Sequence, residues 1–62
     1  MNAKENKMMS MYEMVSQKAA RDVLAGLEMD LVYGTEWNEM YKACYEYWSR
    51  PENRSLAERV AK

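Results

Sequence analysis

The sequence predicts a small all-α protein, a helical hairpin followed by a short third helix at the C-terminal end. Two segments repeat apolar residues at the three- and four-residue steps that place side chains on one helix face. Serine or threonine stands where each predicted helix begins, and glycine or proline stands where the first two end. No segment alternates apolar and polar residues, as a strand does, for more than a few positions. We therefore expect one small helical domain over residues 10–62, preceded by a flexible polar lead-in over residues 1–9.

The first predicted helix begins at Ser10. Ser-Met-Tyr-Glu is a capping box, in which the Ser10 hydroxyl accepts from the amide of Glu13 and the Glu13 carboxylate accepts from the amide of Ser10. We expect this helix to run to about Tyr33, with Gly34 as the left-handed residue that ends it. Gly26 would then lie inside the helix, at a cost of up to ~1 kcal/mol relative to alanine.

The apolar residues of the first helix form two stripes rather than one. At ~100° per residue the two stripes point to different sides of the helix, so a single partner helix cannot cover both. Either the second stripe meets another molecule or a returning segment, or its methionines only fill gaps near the helix start. Met14 is also placed for a hydrophobic staple with Met9. The first stripe is Ala20, Val23, Leu24, Leu27 and Leu31, and the second is Met11, Met14 and Val15.

The second predicted helix carries the most informative face of the chain. Five of the seven aromatic residues lie between Trp37 and Trp48, and none is phenylalanine. Trp and Tyr join an apolar body to a polar tip, which suits a surface buried on one side and wet on the other. Thr35 is the predicted N-cap, and Arg50–Pro51 limits the far end. The face consists of Trp37, Met40, Tyr41, Cys44 and Trp48, with Tyr45 and Tyr47 at its edges.

A third, short helix is predicted near the C-terminal end. Ser-Arg-Pro-Glu from Ser49 repeats the capping pattern, with Pro51 in the first turn, where proline is tolerated. A helix of this length is not stable alone, so it must dock on the other two. The apolar residues available for docking are Leu56, Ala57, Val60 and Ala61.

The residue types argue against catalysis and metal binding. The chain has no histidine, two glycines and one cysteine, so the commonest acid–base group and a phosphate-binding glycine loop are both lacking. Cys44 lies within the apolar face, where a free thiol is usually buried. We expect no enzyme activity, no cofactor and no metal site. The lone thiol, with no apolar stretch long enough to cross a membrane, favours a cytoplasmic location without membrane contact.

The charge is unevenly distributed along the chain. Residues 22–46 carry six acidic residues and one lysine, for −5, whereas residues 1–21 and 47–62 each carry +2. This pattern could guide head-to-tail pairing of chains or attract a basic partner. It is also common on ordinary solvated helices.

Together these features favour a small protein–protein interaction module that acts as a regulator, inhibitor or adaptor, and that forms a homo-oligomer, with a dimer favoured. Interface hot spots are rich in Trp and Tyr, although Trp37, Tyr41 and Trp48 could instead form the intramolecular core. The predicted partner-contact residues are Met11, Met14, Trp37, Tyr41, Tyr45, Tyr47 and Trp48.

The alternative is a nucleic-acid-binding regulator with a helix-turn-helix outline, in which Arg50, Arg54 and Arg59 contact phosphates. Two glutamates, Glu52 and Glu58, interleave with these arginines, and the middle of the chain is acidic. A basic footprint is the first feature that nucleic-acid-binding proteins show. This alternative is therefore the less favoured one.

Overall fold

A computed structural model describes residues 10–62 as three α-helices, which confirms the all-α prediction. α1 spans Met11–Ala25, α2 spans Thr35–Trp48 and α3 spans Arg54–Val60, with one turn of 3-10 helix at Pro51–Asn53 directly before α3. α1 and α2 form the hairpin, and α3 packs on both of them. No strand occurs among these residues. The lead-in predicted over residues 1–9, including Met9 of the predicted staple, lies outside the described residues.

α1 begins at the predicted capping box. The amide of Glu13 donates to Ser10 Oγ at 3.1 Å, and the amide of Ser10 donates to Glu13 Oε1 at 3.0 Å. Two groups that a helix N-terminus leaves without partners are satisfied in this way. The sequence therefore located the start of the first helix correctly.

The predicted end of the first helix is wrong. α1 ends at Ala25, because Gly26 adopts φ 75° and ψ 23°, in the left-handed region. The amide of Gly26 donates to the carbonyl of Val23 at 3.1 Å, and the amide of Leu27 donates to the carbonyl of Asp22 at 2.9 Å, which closes the helix. Gly34 has φ −71° and is the N-cap of α2, so Thr35 is the first helical residue and not the cap.

We expect Gly26→Ala to lower the free energy of unfolding by about 1–2 kcal/mol, because a side chain is strained at positive φ. No atom lies within 4 Å of a Cβ built on Gly26 or on Gly34, so neither change causes a clash. Gly34→Ser, at an ordinary φ, should change stability by only a few tenths of a kcal/mol. Urea unfolding of both variants measures the difference. Equal losses would contradict the assignment of Gly26 as the helix end.

The predicted cap of the third helix is also wrong. Ser49 Oγ donates back to the carbonyl of Tyr45 at 2.7 Å and so caps no following helix. Pro51 occupies the first turn of the 3-10 segment, as its fixed φ allows. The buried Asn53 side chain donates from Nδ2 to the carbonyl of Tyr47 at 2.7 Å, which ties this turn to the end of α2.

The core lies where the three helices meet, and small residues there allow the helices to pack closely. Its alanines are fully buried, and the buried apolar residues are Val15, Ala19, Ala20, Tyr41, Cys44, Trp48 and Ala57. The stripe predicted on α2 thus packs within the chain. On α1, Val15 belongs to the core rather than to a separate surface stripe. Leu27 and Leu31 do not belong to the predicted stripe, because α1 ends before them, and both are exposed.

Candidate contact surface

A surface cleft of about 430 Å³ opens between the first turn of α1 and residues 40–48 of α2. Tyr12 and Tyr47 line it and are 60% and 45% exposed. No charged side chain is among its lining residues, which are Tyr12, Met40, Ala43, Cys44, Tyr47 and Trp48. We call this feature the Tyr12–Tyr47 cleft.

The helical spacing of α2 explains the cleft. Tyr41, Cys44 and Trp48 point into the core, whereas Met40 and Tyr47 lie on the flank next to that buried face. Met40 and Tyr47 are two turns apart on this flank, and Ala43 beside them has too short a side chain to fill the space. The apolar arc of α2 is therefore wider than α1 covers.

The side of the cleft near the core is rigidly held. Trp48 Nε1 donates to Ser16 Oγ at 3.2 Å, and both residues are buried. The Tyr47 ring meets the Trp48 ring edge to face, with centroids 4.8 Å apart. Cys44 is buried, and burial raises the pKa of its thiol. The thiol is therefore protonated at neutral pH and forms an unreactive part of the wall.

Tyr41 is a core residue in this fold rather than a contact residue. Its side chain is fully buried, and its hydroxyl donates to Asp22 Oδ2 at 2.6 Å and accepts from the amide of Asp30 at 3.1 Å. Burial, and then the hydrogen bond to Asp22, raises the pKa of Tyr41 to about 12. Lys18 Nζ lies 3.1 Å from Asp22 Oδ2 and 3.8 Å from Asp30 Oδ2. This network ties α1, α2 and their connection together.

Trp37 and Tyr45 also serve contacts within the chain. The Tyr45 hydroxyl donates to the carbonyl of Leu27, and its ring lies 5.8 Å from that of Tyr41. Trp37 is partly buried, and its ring centroid lies 4.7 Å from that of Tyr33. Both residues therefore hold the α1–α2 connection against α2.

Of the seven predicted contact residues, the cleft brings together only Tyr47 and Trp48. Met11 and Met14 are 41% and 44% exposed but do not line it. Sequence reasoning missed Tyr12. Its signal in the sequence was the three- and seven-residue spacing to Val15 and Ala19, which puts Tyr12 on the same side of α1 as these apolar residues.

The arginines of the alternative prediction lie at the C-terminal end. Arg50 and Arg59 are exposed, and Arg54 Nε lies 3.6 Å from Glu58 Oε2. The first two helices are separated by residues 26–34, whereas a helix-turn-helix uses a turn of three or four residues. The connection between α1 and α2 is therefore longer than the turn of a helix-turn-helix unit.

No family model, curated protein or solved structure matches this chain. Within residues 10–62, no three His, Cys, Asp or Glu side chains are grouped so that they could hold a metal ion. None of the three described helices is both long and apolar enough to cross a membrane.

Proposed function

We propose that this chain is a protein-binding module that acts as a regulator, inhibitor or adaptor. In this proposal the Tyr12–Tyr47 cleft receives an apolar or aromatic side chain of a partner protein. The single observation that carries the proposal is the cleft itself. It is accessible from the surface, although Tyr41 and Trp48 beside it are buried in the core.

The chemistry of the lining supports a protein partner. Two exposed tyrosines offer large apolar rings with hydroxyl tips, the combination that is enriched at interface hot spots. Met40 supplies a flexible thioether that adapts to the shape of an inserted side chain. The volume falls at the small end of the range for ligand sites, which suits one anchoring side chain.

The same lining offers little for catalysis. It contains no carboxylate, lysine or arginine, and its only thiol has a raised pKa. A general acid or base needs a group that titrates near the working pH and reaches the substrate. The cleft is therefore better suited to recognition than to reaction.

We expect Ala43→Arg to abolish partner binding while the helical fold remains intact, because Ala43 is exposed and a long charged side chain there would fill the cleft. Ala25→Arg is the matched control, because Ala25 is also an exposed helical alanine and lies outside the cleft. Both variants gain one positive charge. Proteins captured from a lysate of the source cells by the parent chain and by each variant are compared by mass spectrometry, with circular dichroism to verify folding.

The proposal predicts at least one protein that the parent chain and Ala25→Arg retain and that Ala43→Arg loses. If folded Ala43→Arg captures the same proteins in the same amounts, the cleft is not the contact surface. If no protein is captured by the parent chain above background, the proposed function is contradicted.

A further inference from the structure

The connection between α1 and α2 exposes a second apolar surface, separate from the Tyr12–Tyr47 cleft. Residues 27–33 adopt neither helix nor strand. Leu27, Leu31, Val32 and Tyr33 are 55%, 49%, 74% and 49% exposed. Four large apolar side chains are thus exposed within seven residues, and concentrated apolar exposure of this kind marks interaction sites. We call residues 27–33 the apolar connection.

Side chains of α2 hold the backbone of the apolar connection in place. The amide of Asp30 donates to Tyr41 Oη, and the Tyr45 hydroxyl donates to the carbonyl of Leu27. Asn38 accepts from the amide of Tyr33 at 3.3 Å and donates to its carbonyl at 2.8 Å. Side chains of α2 thus form hydrogen bonds with several backbone groups of the apolar connection, and this fixes the positions of its exposed apolar side chains. Such preorganisation lowers the entropic cost of binding.

The charged residues in and directly after the apolar connection are all acidic. From Leu27 to Tyr41 the chain contains four acidic residues and no lysine or arginine. Lys18 of α1 lies 3.8 Å from one of these acids, Asp30. Glu28, Glu36 and Glu39 are exposed. An occupant of this surface should therefore combine apolar and basic groups.

The chain itself carries such a surface at the C-terminal end of α3. Leu56 is 42% exposed, and the exposed Arg59 follows it at the three-residue spacing that puts both on one helix face. Arg21 of α1 is exposed and donates from Nε to the carbonyl of Ala61 at 2.9 Å, so its charge lies beside this end of α3. Lys62 adds a further exposed cation. Glu58 of α3 is exposed as well, but its Oε2 lies 3.6 Å from Arg54 Nε, which offsets its charge. We call the surface formed by Leu56, Arg59, Arg21 and Lys62 the basic α3 face.

We propose that the apolar connection of one copy docks on the basic α3 face of a second copy, head to tail. Charge complementarity between the two surfaces selects this arrangement. Symmetric pairing of two apolar connections is disfavoured, because it brings Glu28 and Asp30 of one copy towards the acids of the other. The contact is heterologous, so a pair of copies keeps one unused apolar connection and one unused basic α3 face, and the assembly grows into a ring or an open chain.

Light scattering over a concentration series tests this contact. The proposal predicts a mass above 7.3 kDa that rises with concentration at low salt. The mass should fall in about 1 M salt, where the Debye length is about 3 Å. A monomer at every concentration at low salt would overturn the proposal.

Two complementary variants make the test specific. Val32→Asp removes the most exposed apolar residue of the connection, and Leu56→Asp places an acid on the basic α3 face. Each alone should weaken self-association by tenfold or more, the effect of losing a hot-spot contact. Mixed, they should form a one-to-one heterodimer, because each retains the surface that the other lacks. Failure of two folded variants to pair would overturn the head-to-tail contact.

Tyr47→Ala serves as the control, because Tyr47 lies in the cleft and on neither of these surfaces. Its mass profile should match that of the parent chain. Loss of self-association in Tyr47→Ala would place the self-contact at the cleft and overturn this proposal. Because the two surfaces are different, self-association can fail without affecting capture of a partner at the cleft, and the reverse also holds.

Discussion

Tyr41→Ala is expected to remove a large part of the free energy of unfolding of the domain. Tyr41 is fully buried at the centre of the core, and truncating a buried aromatic residue costs about 3–5 kcal/mol. A domain of this size has a total stability of roughly 3–9 kcal/mol. The variant also leaves the buried Asp22 carboxylate without its hydroxyl donor. Circular dichroism and urea unfolding measure the loss.

Tyr41→Phe separates the contribution of the hydroxyl group to stability from that of the ring. It keeps the packing but removes the hydrogen bonds to Asp22 and to the amide of Asp30. We expect a loss of about 1–3 kcal/mol, the cost of leaving buried polar groups unpaired. If Tyr41→Ala unfolded at the same urea concentration as the parent chain, the assignment of Tyr41 to the core would be wrong.

Trp48→Ala and Tyr47→Ala are expected to differ sharply, although the two residues are adjacent. Trp48 is 8% exposed and hydrogen-bonded to Ser16, so its removal should cost about 3–5 kcal/mol. Tyr47 is 45% exposed, and we expect Tyr47→Ala to cost about 1 kcal/mol or less. The free energies of unfolding in urea give both values.

Ser16→Ala is the control for this pair, because it removes the acceptor of the Trp48 indole while leaving the ring in place. A loss of about 1–3 kcal/mol is expected for the unpaired donor. Similar losses for Tyr47→Ala and Trp48→Ala would mean that Tyr47 is also a core residue. The Tyr12–Tyr47 cleft would then not be an open surface.

Local signals in the sequence predicted much of the fold but not the end of α1. The capping box at Ser10 depends only on residues within one turn, and it was confirmed. Gly26 and Gly34 are both suitable residues for ending a helix. The choice between them depends on contacts from distant residues, since the connection after Gly26 is held by Tyr41, Tyr45 and Asn38.

The candidate contact surface was harder to predict than the fold. Periodicity identified one apolar face on α2, and most of that face packs within the chain, which was the alternative to the predicted partner contact. Periodicity does not say which part of a wide face the neighbouring helix covers. That depends on where α1 lies, which buries Tyr41 and Trp48 but leaves Tyr47 exposed. Tyr12 completes the cleft from another helix, so no pattern within α2 could reveal it.

The Tyr12–Tyr47 cleft and the apolar connection lie towards opposite ends of the helical hairpin. Tyr12 is in the first turn of α1, and the apolar connection follows its last residue, Ala25. Thirteen residues of helix separate these two positions along the chain, about 20 Å at 1.5 Å per residue. A partner in the cleft and a second copy at the connection could therefore bind at the same time.

The most direct test of the cleft as a protein-contact surface is site-specific photo-crosslinking in the source cells. A photoreactive phenylalanine derivative replaces Tyr47 in one variant and Lys42, an exposed α2 residue outside the cleft, in another. We predict that the Tyr47 variant forms a covalent adduct with a different protein, and that the Lys42 variant does not. Absence of an adduct at Tyr47, or an equal yield of the same adduct at Lys42, would contradict the proposal.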